Sequence, residues 1–358
     1  MYIDYDNCLV SLISSIEKHY GLDTSHSSLT ALDKLLDHSY KNIILLLFDG
    51  MGTSILKKHL SSESFLRKNL VDTISSVFPP TTTAATTSVI TGKTPIEHGW
   101  LGWSLYFDKI DKTVELYPNT CHGEAAADYN VAQSFLPYNS IFERLKEKGI
   151  PSYFISPFSD IRAKDIDTLF SKARQLCDKP QIKYIYGYSP LPDYDMHDLG
   201  TDHPIIKKHI EKINKNVEGL CNELSDSLII VTADHGMTDT KFVFMDAFPN
   251  IKQCLKREPS IEGRAMSLFV KDGMQSIFAE LFNDAFGEIY ELIPHDRAVS
   301  LFGDGVYHPL AEKFIGDFLA VAKNEISLSY EFDPSPFKAA HAGLTEDEIN
   351  IPLIAIRT

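Results

Sequence analysis

Short apolar runs alternate with segments of helical period along the first two thirds of the chain. "KNIILLLFDG" is continuously apolar from Ile43 to Phe48 and ends in Asp49 and Gly50, the pattern of a strand buried on both faces of a parallel sheet. "SIFERLKEKG" predicts a helix closed by Gly149, and "PSYFISP" predicts the strand that follows it. The unit recurs in "IKYIYGY", Ile182 to Tyr188, after which Ile206, Ile210, Ile213, Val217 and Leu220 fall near helical spacing on one face. "SLIIVTADHG" then predicts a further buried strand that ends in Asp234 and His235. This alternation predicts an α/β fold, a doubly wound and mostly parallel sheet between helical layers.

From Met237 to Ala340 the pattern is less regular, with helical "MQSIFAELFNDAFG" and strand-like "RAMSLFVK" and "GDFLAVA". This region is expected to complete the sheet and to add a lobe over the site. The stretch from Thr94 to about Asn130, rich in Trp, Tyr and Phe, is a second candidate cap.

Composition narrows the classes. With 44% hydrophobic and 23% charged residues over 358 positions, the chain can bury a sizeable core. The N-terminal apolar run is short and follows Asp4 and Asp6, where a signal peptide carries basic residues. No stretch reaches the roughly 18 apolar residues of a membrane span, and a cytoplasmic protein is expected. Five cysteines, widely spaced and without a C-x-x-C pair, read as reduced thiols. A net charge of −15 disfavours nucleic acid polymers and anionic membranes. An anionic substrate would need a local positive centre, and with the 34 basic residues dispersed, metal ions are the stronger expectation.

Ligands of doubly wound sheets bind beyond the carboxyl ends of the strands, where Asp49, the loop after Tyr188 and the pair Asp234-His235 are expected. Four segments carry carboxylate and imidazole: Asp49, "PDYDMHDLGTDH", "TADHGM" and "HAGLTEDEINIPLIAI". Asp193 and His197 are four apart, a workable spacing for one cation. A lone Asp after a strand is as often a helix cap, so the combination carries the weight.

In family order, "FDGMG", "FPPTTTAATTSVITGKTPIEHG", "PDYDMHDLG" with "TADHGM", and "HAGLTEDEINIPLI" resemble the motifs of the alkaline phosphatase superfamily, and most closely its nucleotide pyrophosphatase/phosphodiesterase branch. The resemblance runs from about Asn42 to Ile356. It implies an alkaline phosphatase-like catalytic domain over residues 42–358, with cap insertions at about 94–130 and 240–335, behind an N-terminal helical extension over 1–41. It further implies two divalent metal ions about 4 Å apart, zinc foremost, with manganese or iron as alternatives. Carried over by position, Asp193, His197 and His341 would hold the first metal, and Asp49, Asp234, His235 and the nucleophile the second. Met196 stands where members usually have glycine.

The resemblance places the nucleophilic threonine ten residues before Gly92, which selects Thr82. Local chemistry agrees: Pro79 and Pro80 favour a helix starting just after them and Gly92 a stop. Thr82 then meets a helix N-terminus, which stabilises an alkoxide and a phosphoryl group. Thr81 and Thr83 read as capping residues, while Thr86, Thr87 and Ser88 bond back to their helix or line the site. Members often carry asparagine three positions after the nucleophile, where this chain has Ala85.

His98, His203 and His308 read as loop residues with surface or packing roles, and Asp195, Asp198 and Asp202 as partners of the metal ligands. Trp100 and Trp103 read as core packing, with stacking on an aromatic leaving group as the alternative. The expected activity is a two-metal hydrolase of small phosphodiesters or nucleotide pyrophosphates acting through a phosphothreonine. The alternatives are a phosphomonoesterase or phosphomutase on the same metals, and a catalytically silent nucleotide-binding descendant.

Overall fold

The structure is a computed structural model that describes residues 3–358; Met1 and Tyr2, the start of the N-terminal segment, lie outside the described residues. Its main sheet is built from Asn42–Phe48 (β1), Leu70–Ser75 (β2), Ser152–Ser156 (β3), Ile161–Arg162 (β4), Lys183–Ser189 (β5), Ser227–Thr232 (β6) and Asn350–Arg357 (β7). The seven strands run in the order β2-β7-β6-β1-β5-β3-β4. From β6 to β4 neighbours are parallel, while β7 runs antiparallel to β6 and to β2. The mostly parallel sheet expected from the apolar runs is present, and β1, β5 and β6 are buried along their whole length.

Helices cover both faces. Leu9–His19, Thr30–Leu36, Thr82–Thr91 and Ile141–Glu147 pack as one group, and Thr53–His59, Ile166–Cys177 and Pro204–Glu223 as another. Alternation along β5 serves both layers. Tyr184 and Tyr186 meet Phe142 at ring separations of 6.0 and 6.4 Å, whereas Gly187 abuts Leu169 on the opposite face. Among the described residues no helix is long and apolar enough to cross a membrane. The five cysteines are unpaired, with Cys8, Cys177 and Cys254 buried.

The region after Met237 departs from expectation. Apart from β7, its described strands add nothing to the main sheet. Some form two short ladders, Thr238–Asp239 with Ala339–Ala340 and Lys241–Phe244 with Ile326–Ser329, and four join those of 104–125 in a separate eight-stranded sheet. The order is Tyr290–Pro294, Phe318–Ala322, Ala265–Leu268, Ser260–Ile261, Ser104–Phe107, Lys112–Glu115, Thr120–Cys121 and Glu124–Ala125, antiparallel throughout. The two inserted segments therefore form one cap. Each face of this sheet has its own apolar cluster: Leu319 and Val321 join Leu105 and Phe107, while Ala320 and Ala322 join Phe278, Phe282 and Phe286. A strand buried on both faces supplies apolar residues at every position and has no period to read, so which sheet it joins is invisible locally.

Cap and main sheet are tied by a buried ion pair. Arg264 donates to both carboxylate oxygens of Glu348 at 2.6 and 2.8 Å and to the carbonyls of Asn324 and Ile326. Glu348 also accepts from Gly343 N at 2.7 Å and Thr345 Oγ1 at 2.6 Å. Arg264→Met leaves that carboxylate buried without its counter-charge, and urea unfolding is expected to show a loss of about 3–5 kcal/mol.

Candidate active site

Three parallel strands deliver side chains to one rim. β1 runs into Asp49, whose N–H donates to the Ser189 carbonyl at the end of β5, and Asp193 N donates to the Asp49 carbonyl at 3.1 Å. Gly50 has φ +69°, and a Cβ there would stand 3.0 Å from the Asp193 Cβ and 2.8 Å from Met196 Cε. Glycine is thus required both by its conformation and by the close approach of Asp193. Met196, at the position where a glycine was expected, is fully buried and fills that space.

The threonine stretch folds as its framing residues indicate. Thr82–Thr91 is a helix, Thr81 its N-cap residue, and Gly92 its left-handed stop at φ 66°. Thr82 is the first helical residue, and its Oγ1 lies 3.2 Å from His235 Nε2 and 3.5 Å from each Asp49 oxygen. Thr86 and Thr87 donate back to the carbonyls of Thr82 and Thr83 at 2.7 Å. Thr81 does not cap: its hydroxyl donates to Glu262 Oε1 at 2.5 Å. Ala85 points into the apolar core, so a donor at that position would not face the site. The polar group one turn beyond Thr82 is Thr86, which pairs with the Tyr117 hydroxyl from the cap.

All seven residues singled out by sequence converge. Asp49, Asp234 and His235 place ligand atoms within 4.8 Å of one another, as do Asp193, His235 and His341. His197 Nε2 lies 3.3 Å from Asp193 Oδ2, and the His235 and His341 rings stack at 3.8 Å.

Each histidine is oriented by the backbone. The Nδ1 atoms of His197, His235 and His341 face the carbonyls of Ala339, Gly236 and Pro80 at 2.9, 2.8 and 3.1 Å. A proton on Nδ1 leaves Nε2 free to accept a cation. Two of the three aspartates expected as partners are elsewhere: Asp195 bonds His209, and Asp202 pairs with Lys58. His98 has the packing role expected of it, though at a short helix end rather than in a loop: it is buried beside Ser88, where burial pushes its pKa down to about 3. His203 caps the start of Pro204–Glu223.

The electrostatics call for positive charge. Burial, then the Asp193 charge, raises the Asp49 pKa, and burial with Asp49 raises Asp234 to about 7. Burial disfavours the His235 cation, yet Asp234 and Asp49 outweigh it and lift that imidazole to about 10. Likewise Asp193 overcomes burial at His197 and holds it near 9. Asp193 Oδ1 and Asp234 Oδ2 are buried without any hydrogen bond. A buried carboxylate oxygen without a donor is costly, and one belongs to each of the two ligand groups, which share His235. Oriented imidazoles and orphaned carboxylate oxygens are a donor set that fits divalent cations.

Tyr188 and Glu262 were not apparent from sequence. Tyr188 donates from a buried hydroxyl to Asp49 Oδ2 at 2.5 Å, at the end of a strand where a tyrosine carries no distinguishing pattern. Glu262 reaches in from the cap and lines a cavity of about 300 Å³ with His197, His341, Trp103, Tyr330 and Phe337.

Comparison with known proteins agrees with this arrangement. No curated protein sequence matches the chain. Murine ectonucleotide pyrophosphatase/phosphodiesterase 5 superposes with a TM-score of 0.67 at 18% identity, covering 88% of each chain. An inactive variant of that murine protein, in complex with AMP, gives 0.66 at 17% over 88% of this chain and 87% of its own. Phosphonoacetate hydrolase from Sinorhizobium meliloti, in complex with phosphonoformate, gives 0.66 at 17% over 88% and 89%. The model of the type I phosphodiesterase / nucleotide pyrophosphatase family matches residues 43–340. With that match spanning most of the chain and the same fold in these relatives, the protein belongs to the type I phosphodiesterase / nucleotide pyrophosphatase family of phosphoric ester hydrolases.

Proposed function

We propose that the chain hydrolyses small phosphodiesters or nucleotide pyrophosphates through a phosphothreonine at Thr82, with two divalent metal ions. The observation that carries this reading is the Thr82 hydroxyl at a helix start, within 3.5 Å of both Asp49 and His235. Asp49, Asp234, His235 and Thr82 would hold one ion, and Asp193, His197 and His341 the other. When bound, such ions supply positive charge to the threonine oxygen, the phosphoryl oxygens and the departing group. Thr82 attacks phosphorus in line with the departing oxygen, while the free N–H groups at the start of its helix accept the phosphoryl charge. Water then releases the phosphoryl group from Thr82. Carboxylate with imidazole suits zinc, and manganese or iron as alternatives.

A diester is favoured over a monoester by the cavity lining. Arg264 is the single Lys or Arg among the lining residues, and it is committed to Glu348. A monoester dianion would meet no uncommitted Lys or Arg there. The AMP and phosphonoformate bound to the two relatives are small phosphorus oxyanions, in keeping with a small-molecule substrate. Parallel assays with bis(4-nitrophenyl) phosphate and 4-nitrophenyl phosphate test the reading, and faster turnover of the monoester would replace it with a phosphomonoesterase. Metal analysis should find about two equivalents of divalent ion, removed by EDTA together with activity; protein without metal would point to a silent descendant.

Tyr188 offers a measurement that needs no turnover. Its hydroxyl holds Asp49 in place, so Tyr188→Phe is expected to weaken metal retention by about 10–100-fold in a chelator titration.

A further inference from the structure

Glu262 sits at the turn between Ser260–Ile261 and Ala265–Leu268, a tip of the cap that meets Thr81. The residue before it, Ile261, has φ +78°, a left-handed conformation that a β-branched side chain adopts only under constraint. The constraint is visible: the Tyr290 hydroxyl holds the Gly263 carbonyl at 2.8 Å, and Arg264 is locked onto Glu348. The strained turn directs the Glu262 carboxyl away from the cap sheet and onto the start of the threonine helix. There Oε1 accepts from Thr81 Oγ1 at 2.5 Å and from Trp103 N at 3.1 Å. Oε2 makes no hydrogen bond to the described residues, and the carboxyl lines the cavity it shares with His197 and His341. The second oxygen is thus left without a donor among the described residues, on a residue that lines the same cavity as two of the histidines.

We propose that Glu262 is a catalytic residue that gives its proton to the departing oxygen of the ester and takes one back from the attacking water. The inference rests on the phosphothreonine reading above. In the first half-reaction the Thr82 alkoxide forms a bond to phosphorus as the P–O bond to the leaving group breaks. The Glu262 proton goes to the departing oxygen, which leaves as a neutral alcohol. In the second, the Glu262 carboxylate removes a proton from water as that oxygen bonds to phosphorus, and the P–O bond to Thr82 breaks to restore the alkoxide. One ester and one water give one alcohol and one phosphate monoester, and Glu262 ends protonated as it began.

The test is leaving-group dependence in Glu262→Gln, whose amide oxygen can still accept from Thr81 and Trp103. Two diesters of one nucleoside phosphate are compared, one expelling 4-nitrophenol and one a simple alkyl alcohol. The nitrophenolate leaves without a proton and the alkoxide does not. The expected loss in kcat/KM is under about 10-fold for the nitrophenyl ester and on the order of 10²–10⁴-fold for the alkyl ester. Equal losses on both would overturn the proposal. Thr81→Val removes the contact to Glu262 while keeping its carboxyl, and is expected to retain the wild-type ratio between the two substrates. A Thr81→Val enzyme that reproduces the alkyl-selective loss would make Glu262 a positioning group and also overturn the proposal. Wild-type turnover of the nitrophenyl ester, lost in Thr82→Ala, checks the underlying reading separately.

Discussion

Thr82→Ala is expected to lower phosphodiester turnover by on the order of 10⁴-fold or more, with the fold intact. Thr82 is the first residue of its helix, and alanine is at least as good a helix former. Its hydroxyl contacts only Asp49 and His235, so no structural bond elsewhere depends on it. Thermal unfolding should therefore be nearly unchanged while chemistry disappears. Acid-quenching the wild-type enzyme during turnover of a labelled diester should trap label on the protein, and the variant should trap none. Near wild-type rates in Thr82→Ala would remove the phosphothreonine from the mechanism.

Asp234→Asn is expected to abolish activity and yet to stabilise the metal-free protein, by about 1–4 kcal/mol at pH 8, because folding raises this carboxyl's pKa, which costs stability above it, and His235 keeps Asp49 as its counter-charge at 3.2 Å. Asp234 Oδ1 accepts from Gly50 N and His235 N at 3.1 and 3.0 Å, bonds an asparagine oxygen can keep. Its Oδ2 is orphaned, and above its pKa of about 7 the carboxylate is held ionised in full burial near Asp49. Removing the charge relieves that cost. Divalent metal should reverse the order, because an ion that binds the native wild-type site stabilises it by mass action and the variant has lost a ligand. Unfolding midpoints of both proteins in EDTA and in zinc provide the four values required. A variant less stable than wild type in EDTA would mean that the native protein carries no such electrostatic load.

The rim of the main sheet was legible because each chemistry-bearing residue sits at an abrupt change of pattern. Asp49 and Asp234 end continuous apolar runs, and Thr82 stands between two prolines and a glycine at helix length. Such boundaries are local, and local boundaries survive in a linear string. Both cap segments were legible but their union was not: Ser260–Ile261 pairs with Ser104 across a separation in sequence that no period records. Glu262 shows the same limit for a single residue, since its position beside Thr81 depends on a strained Ile261 and on the Arg264 anchor. The histidine partners were misjudged for a related reason. Acids adjacent in sequence, such as Asp195 and Asp198, drew attention, while the groups that orient the rings are backbone carbonyls, which every residue possesses and no sequence pattern can single out.

β7 has a consequence for how the protein is made. It lies between β6 and β2, so the Asp234-bearing strand has an open edge until residues 350–357 are in place. During synthesis, the site's last ligand, His341, and the strand that covers this edge both follow β6 by more than 100 residues. A nascent chain therefore carries an exposed, largely apolar strand edge from the synthesis of β6 until residues 350–357 follow, a template for pairing with other chains. Chains released before Asn350 should accumulate as aggregates rather than as soluble, metal-poor enzyme, and the yield of folded protein should depend on holdase chaperones more steeply than its final stability would indicate.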